Sequence, residues 1–108
     1  MVAIVKRPED TYGEFLNIDK TLKNLQKTVG GYVEMVMISP DMVVLCDEDG
    51  RLKDKAFNMS LAGNDFVGTI IVCGIKDEEF CDVPTTEEKW RKVASYHRLF
   101  DTERRKTW

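Results

Sequence analysis

The sequence predicts an α+β domain in which a mostly antiparallel sheet of four or five strands carries two helices packed on one face. Three observations lead to this class. Stretches such as MVVLC (42–46) and FVGTIIVCG (66–74) have the β-branched, apolar composition of buried strands. Leu22, Leu25 and Val29 recur at helical spacing with Lys20, Lys23 and Lys27 opposite them, which describes an amphipathic helix. Trp90, Val93, Ala94, His97 and Phe100 share a second helical face near the end of the chain.

Val2 to Lys6 and Gly13 to Ile18 read as short strands, because RPEDTYG between them supplies the Pro, Asp and Gly of a loop. Asp19 is the expected N-cap of a helix running through Val29. Gly30 suits the C′ position, where a left-handed residue without a Cβ ends the helix, and Lys27 in the last turn suits the negative end of the dipole. The doubled glycine Gly30-Gly31 follows a helix rather than opening one. It therefore lacks the donor amides of a phosphate loop and reads as a hinge.

From Gly31 the chain reads as a strand, with Val33, Met35 and Met37 on one face and Tyr32, Glu34, Val36 and Ile38 on the other. The turn Ser39 to Asp41 leads into MVVLC, apolar on both faces and so an interior strand. DEDG (47–50) is a tight turn, and Asn58 is expected to cap a short helical turn ending at Gly63. Phe66 to Gly74 reads as one strand, with Gly68 marking a bulge or a close backbone approach. Thr85 with Glu88 three residues on has the pattern of a capping box before the last helix. The expected order is β-β-α-β-β-turn-β-α.

At 108 residues the chain supports one core, and 43% hydrophobic with 32% charged residues is the balance of a folded globular domain. The expected domain spans 1–102, with 103–108 as a basic, flexible tail. The apolar run Met1 to Val5 is cut by Lys6 and Arg7, too short for a signal peptide or a membrane span, so a cytoplasmic location and no membrane partner are expected. Cys46, Cys73 and Cys81 match neither a disulfide framework nor a CxxC metal pair. Reduced thiols are expected, buried at Cys46 and Cys73. The net charge of −3 divides into +3 for Glu87 to Trp108 and −6 for the rest, a basic end on an acidic body.

The blocks TLKNLQKTVGGYVEMV, MVVLCDEDGRLKDKAFNMSLAG and DFVGTIIVCG resemble a small bacterial and phage family, domain-of-unknown-function family 3846. The likeness rests on Gly30 and Gly31 after the helix, on the acidic turn ending in Gly50 with Leu52 after it, on Asn58 and Ala62, and on Gly68 and Gly74. It implies occurrence in phages, plasmids and Gram-positive gut bacteria, and it carries over no catalytic residue.

No catalytic, metal or cofactor site is expected from the residues. An EF-hand register with Gly50 at its sixth position would place Leu45 and Ala56 at ligand positions. The acidic stretches 47–49 and 77–79 read as solvated turns. His97 is the only imidazole and shares an apolar helix face, where a half-buried histidine with one hydrogen bond is expected. Glu34 interrupts an apolar strand, so its carboxylate needs solvent or a partner. With helices on one face of the sheet, Tyr32 and Glu34 would decorate an open face. Arg104, Arg105 and Lys106 beside Trp108 combine cations with an aromatic, and the Lys20, Lys23, Lys27 stripe extends the basic surface.

The expectation is a non-catalytic interaction protein, an accessory product of a phage or mobile element that binds a macromolecule. A protein partner comes first, and a homodimer is compatible with the sequence. The alternatives are a nucleic-acid-binding module using the basic helix face and tail, and a small enzyme or nucleotide-binding protein centred on His97 and the acidic turns.

Overall fold

The computed structural model describes residues 1–95. Its elements are β1 (Val2–Lys6), β2 (Glu14–Asn17), α1 (Leu22–Val29), β3 (Val33–Ser39), β4 (Met42–Asp47), β5 (Phe57–Leu61), β6 (Asn64–Val67), β7 (Ile70–Lys76) and β8 (Glu79–Cys81). A further helix, α2, occupies 87–95. The α+β class holds: an antiparallel sheet with two helices.

The main sheet has six strands, more than the four or five expected, in the order β2-β1-β7-β4-β3, with β8 also pairing β7. The central strand β7 takes β4 on one side; on the other it takes β1 along 70–72 and β8 along 74–76. Gly68, at φ 72°, breaks the expected single strand. Its amide donates to the Ala56 carbonyl, so β6 turns away into a hairpin with β5 while β7 enters the sheet. The expected helical turn at Asn58 is not formed. In its place Ala62 and Gly63, at φ 49° and 78°, make the two-residue turn of the β5–β6 hairpin.

The two helices lie on opposite faces of the sheet, not on one. Ala3, Val43, Leu45, Ile71 and Cys73 pack under Leu25 and Val29 of α1. Ile4, Val44, Cys46, Ile70 and Val72 point the other way, toward Trp90 and Ala94 of α2 and Met59, Leu61 and Phe66 of the hairpin. The physical reason is the two-sided apolar pattern of β4 and β7. Neighbouring residues alternate faces, so Ile70, Ile71 and Val72, all at 0% exposure, need cover on both sides. Each such side chain contributes about 1.5–3 kcal/mol when buried.

Both helix starts shift from the expected residue. Thr21, not Asp19, caps α1, its Oγ1 accepting from the Asn24 amide at 3.4 Å; Asp19 instead accepts from the Thr21 amide at 2.9 Å. Thr86, not Thr85, caps α2, accepting from the Lys89 amide at 3.2 Å, which leaves Glu87 and Glu88 in the first turn, where the helix dipole favours acids. Trp90 anchors α2 by donating from Nε1 to the Tyr12 carbonyl at 2.7 Å. Leu22 and Val93, expected on apolar faces, are 62% and 40% exposed. His97 and Phe100 lie outside the described residues.

Candidate functional site

The sharpest electrostatic feature sits where α1 ends and β4 ends. Asp47 is 4% exposed, and its Oδ2 takes Lys53 Nζ at 2.8 Å and Lys55 Nζ at 2.7 Å, while Oδ1 accepts from the Asp49 amide at 2.9 Å. Burial alone would raise this carboxyl. The two lysine hydrogen bonds, the amide and the Lys55 charge outweigh it and hold the group well below the usual carboxylate range. The same ammonium groups reach the last carbonyls of α1, Lys55 to Val29 O at 2.9 Å and Lys53 to Gly30 O at 3.1 Å. Cations there satisfy orphan carbonyls and complement the helix dipole.

This clamp accounts for three glycines. Gly30 is the left-handed C-cap, at φ 78°. Gly31 lies against the clamp: a Cβ there would fall 2.5 Å from Asp47 Cγ. Gly68 lets Lys55 lie flat, since its Cβ would stand 2.7 Å from Lys55 Cδ. The hinge reading of the double glycine therefore covers Gly30, and Gly31 answers to a carboxylate instead. Asn58 is a second buried junction, accepting from Lys6 Nζ at 2.8 Å and donating to the carbonyls of Lys6 and Gly68 at 2.8 Å each.

Asp47 and Lys6 face inward, Lys53 and Lys55 lie over Asp47 from the partly exposed side, and all of them are occupied. Among the described residues every buried side-chain nitrogen and oxygen has a hydrogen-bond partner, and no cluster of His, Cys, Asp and Glu has the makings of a metal site. The acidic stretches do not converge: Met42 pairs with Gly74 and Leu45 with Ile71, so Asp47 and Asp77 stand at opposite ends of the sheet. Burial pushes the Cys46 thiol up to about 11, helped by Glu34 and Asp47, and pushes Cys73 up to about 12, helped by Cys81.

The outward-facing feature is β3. Among the described residues no strand pairs with its outer side. The Glu48 amide donates to the Tyr32 carbonyl at 2.8 Å. With Glu34 opposite Cys46 and Val36 opposite Val44, residues 32, 34 and 36 direct their backbone groups to β4. The intervening Val33, Met35 and Met37 direct theirs to the open edge. Tyr32, Met35 and Met37 are 69%, 45% and 53% exposed.

Tyr32 and Glu34 are exposed, as expected, but not on an open face. Val36 and Ile38, which share their side, pack on the core beneath the β5–β6 hairpin and α2. Glu34 reaches solvent because β3 is an edge and because a cleft of about 200 Å³, lined by Glu34, Cys46, Glu48, Arg51, Asp65 and Phe66 among others, opens beside it. Lys20, Lys23 and Lys27 are exposed on the α1 side of the sheet, and Lys20 Nζ donates to the Phe80 carbonyl at 3.1 Å. The basic stripe and the Tyr32–Glu34 pair therefore belong to opposite faces. Arg104, Arg105, Lys106 and Trp108 lie outside the described residues.

Sequence reasoning missed Asp47, Lys53, Lys55 and the exposed methionines. One signal was present: Gly30 suffices to end the helix, so the second glycine required its own cause.

A family model described as "Domain of unknown function (DUF3846)" matches residues 1–100. No curated protein and no solved structure matches the chain.

Proposed function

The chain belongs to the DUF3846 family, whose description names no activity, and from the chain's own geometry we propose a non-catalytic interaction protein that binds a macromolecular partner through the open edge of β3. The observation that carries this reading is the seven-residue strand VEMVMIS, unpaired on its outer side among the described residues and flanked by exposed Tyr32, Met35 and Met37. An exposed edge invites pairing, and proteins that do not use one protect it with charged side chains, lysine above all, or with proline, bulges, shortness or a cover. β3 contains no Lys or Pro, its single charged residue is Glu34, and its one irregularity, between Met37 and Ser39, falls at its end. The groups most suited to chemistry are engaged elsewhere, Asp47 by two lysines and the Cys46 and Cys73 thiols by burial.

We read the role as that of an accessory protein of a phage or mobile element, acting on a macromolecule of host or element in the cytoplasm. No described helix is long and apolar enough to cross a membrane. A nucleic-acid reading keeps one supporting observation, the exposed lysines of the α1 side.

The test is capture from host lysate with tagged wild-type protein and Met35→Pro, each with and without nuclease. Proline at an outward N–H spares the bonds to β4 and blocks the edge. Protein captured by wild type, insensitive to nuclease and lost in Met35→Pro supports the proposal. Capture that nuclease abolishes, or that Met35→Pro leaves unchanged, contradicts it.

A further inference from the structure

Resting on the reading of β3 as the binding edge, we propose that its occupant is an extended peptide segment that adds as a further strand and alternates apolar residues with Lys or Arg. The two faces of a strand beside β3 meet different chemistry. On the α1 side it meets half-buried Val33 and exposed Met35 and Met37, an unbranched, adaptable apolar surface. On the other side it meets Glu34, with the Tyr32 ring two residues before it.

Charge complementarity selects the second set of side chains. Glu34 lies opposite Cys46, so its neighbour on β4 supplies no cation. Glu48, also exposed, lies opposite Tyr32 on that same face and lines the cleft with Glu34. The charged groups lining that cleft are four carboxylates, Glu34, Asp47, Glu48 and Asp65, and one cation, Arg51, which donates through Nη2 to the Asp65 carbonyl at 2.8 Å; Asp47 is balanced by Lys53 and Lys55, so the cleft keeps an acidic excess over the single Arg51 charge. A guest Lys or Arg opposite Glu34 sits at cross-strand distance from a carboxylate and within reach of an aromatic face. Main-chain bonds to Val33, Met35 and Met37 would supply affinity, and the alternating side chains specificity.

The same charge disfavours a second copy of this chain. Two-fold pairing of β3 centred on Glu34 sets the two glutamates directly opposite, pairing centred on Met35 sets them on a cross-strand diagonal, and pairing centred on Val36, the midpoint of the strand, sets each glutamate opposite Ile38 of the other copy, an apolar neighbour rather than a cation.

The experiment is fluorescence anisotropy with a short labelled peptide alternating Val and Lys and its Val and Glu counterpart. Both are titrated against wild type, Met35→Pro and Glu34→Lys, with sedimentation of each protein alone. Circular dichroism confirms that each variant is folded, and Glu34→Lys, a surface change, decides if Met35→Pro is not. The inference predicts that wild type binds the Lys peptide roughly tenfold or more tighter than the Glu peptide, that Met35→Pro loses this binding, and that Glu34→Lys reverses the preference. Binding indifferent to peptide charge and to Glu34→Lys overturns it. So does a wild-type dimer that Met35→Pro dissociates, since the occupant is then a second copy. If the Lys peptide fails while Met35→Pro still abolishes partner capture from lysate, the peptide chemistry is wrong and the edge reading stands; if Met35→Pro changes neither, both fall.

Discussion

Gly31 is shaped around Asp47: a Cβ at residue 31 would lie 2.5 Å from the Asp47 Cγ, inside any real contact distance. The carboxylate cannot retreat, because two ammonium groups and the Asp49 amide hold it. Gly31→Ala is therefore expected to cost about 1–3 kcal/mol, the range for overpacking a filled site. Asp47→Ala is expected to cost about 1–3 kcal/mol, the loss of charge-assisted hydrogen bonds from Lys53 and Lys55, which keep solvent and the helix carbonyls as partners. The double variant should be less destabilised than the sum, since Gly31→Ala has nothing to strike once the carboxylate is gone. Urea denaturation of the four proteins measures the coupling, and strict additivity would refute it.

Acid should weaken the same clamp. The Asp47 carboxyl is depressed in the folded chain, whereas in the unfolded chain it titrates at about 3.9. Its contribution is thus complete above about pH 4–5 and declines as the pH falls further toward the folded value. The stability gap between wild type and Asp47→Asn should be constant from neutral pH down to about pH 5 and narrow below about pH 4. Denaturant midpoints across this range check the sign.

The three thiols should react unequally. Cys46 and Cys73 are buried, with thiols raised to about 11 and about 12, so at pH 8 they remain protonated and shielded. Cys81 is only partly buried. A disulfide reagent added to native protein should label Cys81 alone, with the other two following on denaturation, as peptide mass spectrometry would show.

One turn is not optimised for its backbone. Asp77 and Glu78 join β7 to β8 with φ of 51° and 64°, the left-handed pair of a type I′ hairpin, which Asn-Gly fits best. Glu78→Gly should stabilise the protein by about 1 kcal/mol, read as a rise in thermal midpoint.

The elements were legible where one physical demand dominated. Leu25 and Val29 at helical spacing, Gly30 at the C-cap and the apolar runs of β4 and β7 each announce local structure, and all are found. The β5–β6 hairpin was not, because its turn begins with Ala62, a residue that rarely takes positive φ, and because Asn58 resembles a cap while serving as a buried junction. The placing of the helices on opposite faces was implicit in the two-sided apolar strands but needs the strand order to be read. Asp47, Lys53 and Lys55 look like any charged turn in one dimension. Their meeting depends on α1 ending above β4, a tertiary fact. Tyr32 and Glu34 were singled out for the right exposure and the wrong cause: an edge and its cleft expose them, not an uncovered face.

The most direct test of the account is residue-resolved amide exchange along β3, in the free protein and with its captured partner. Val33, Met35 and Met37 should exchange quickly when the protein is free and become protected on binding, while Glu34 and Val36, bonded to β4, stay slow throughout. Uniform protection of all five amides in the free protein, or fast exchange at Val33, Met35 and Met37 that the partner leaves unchanged, would contradict it.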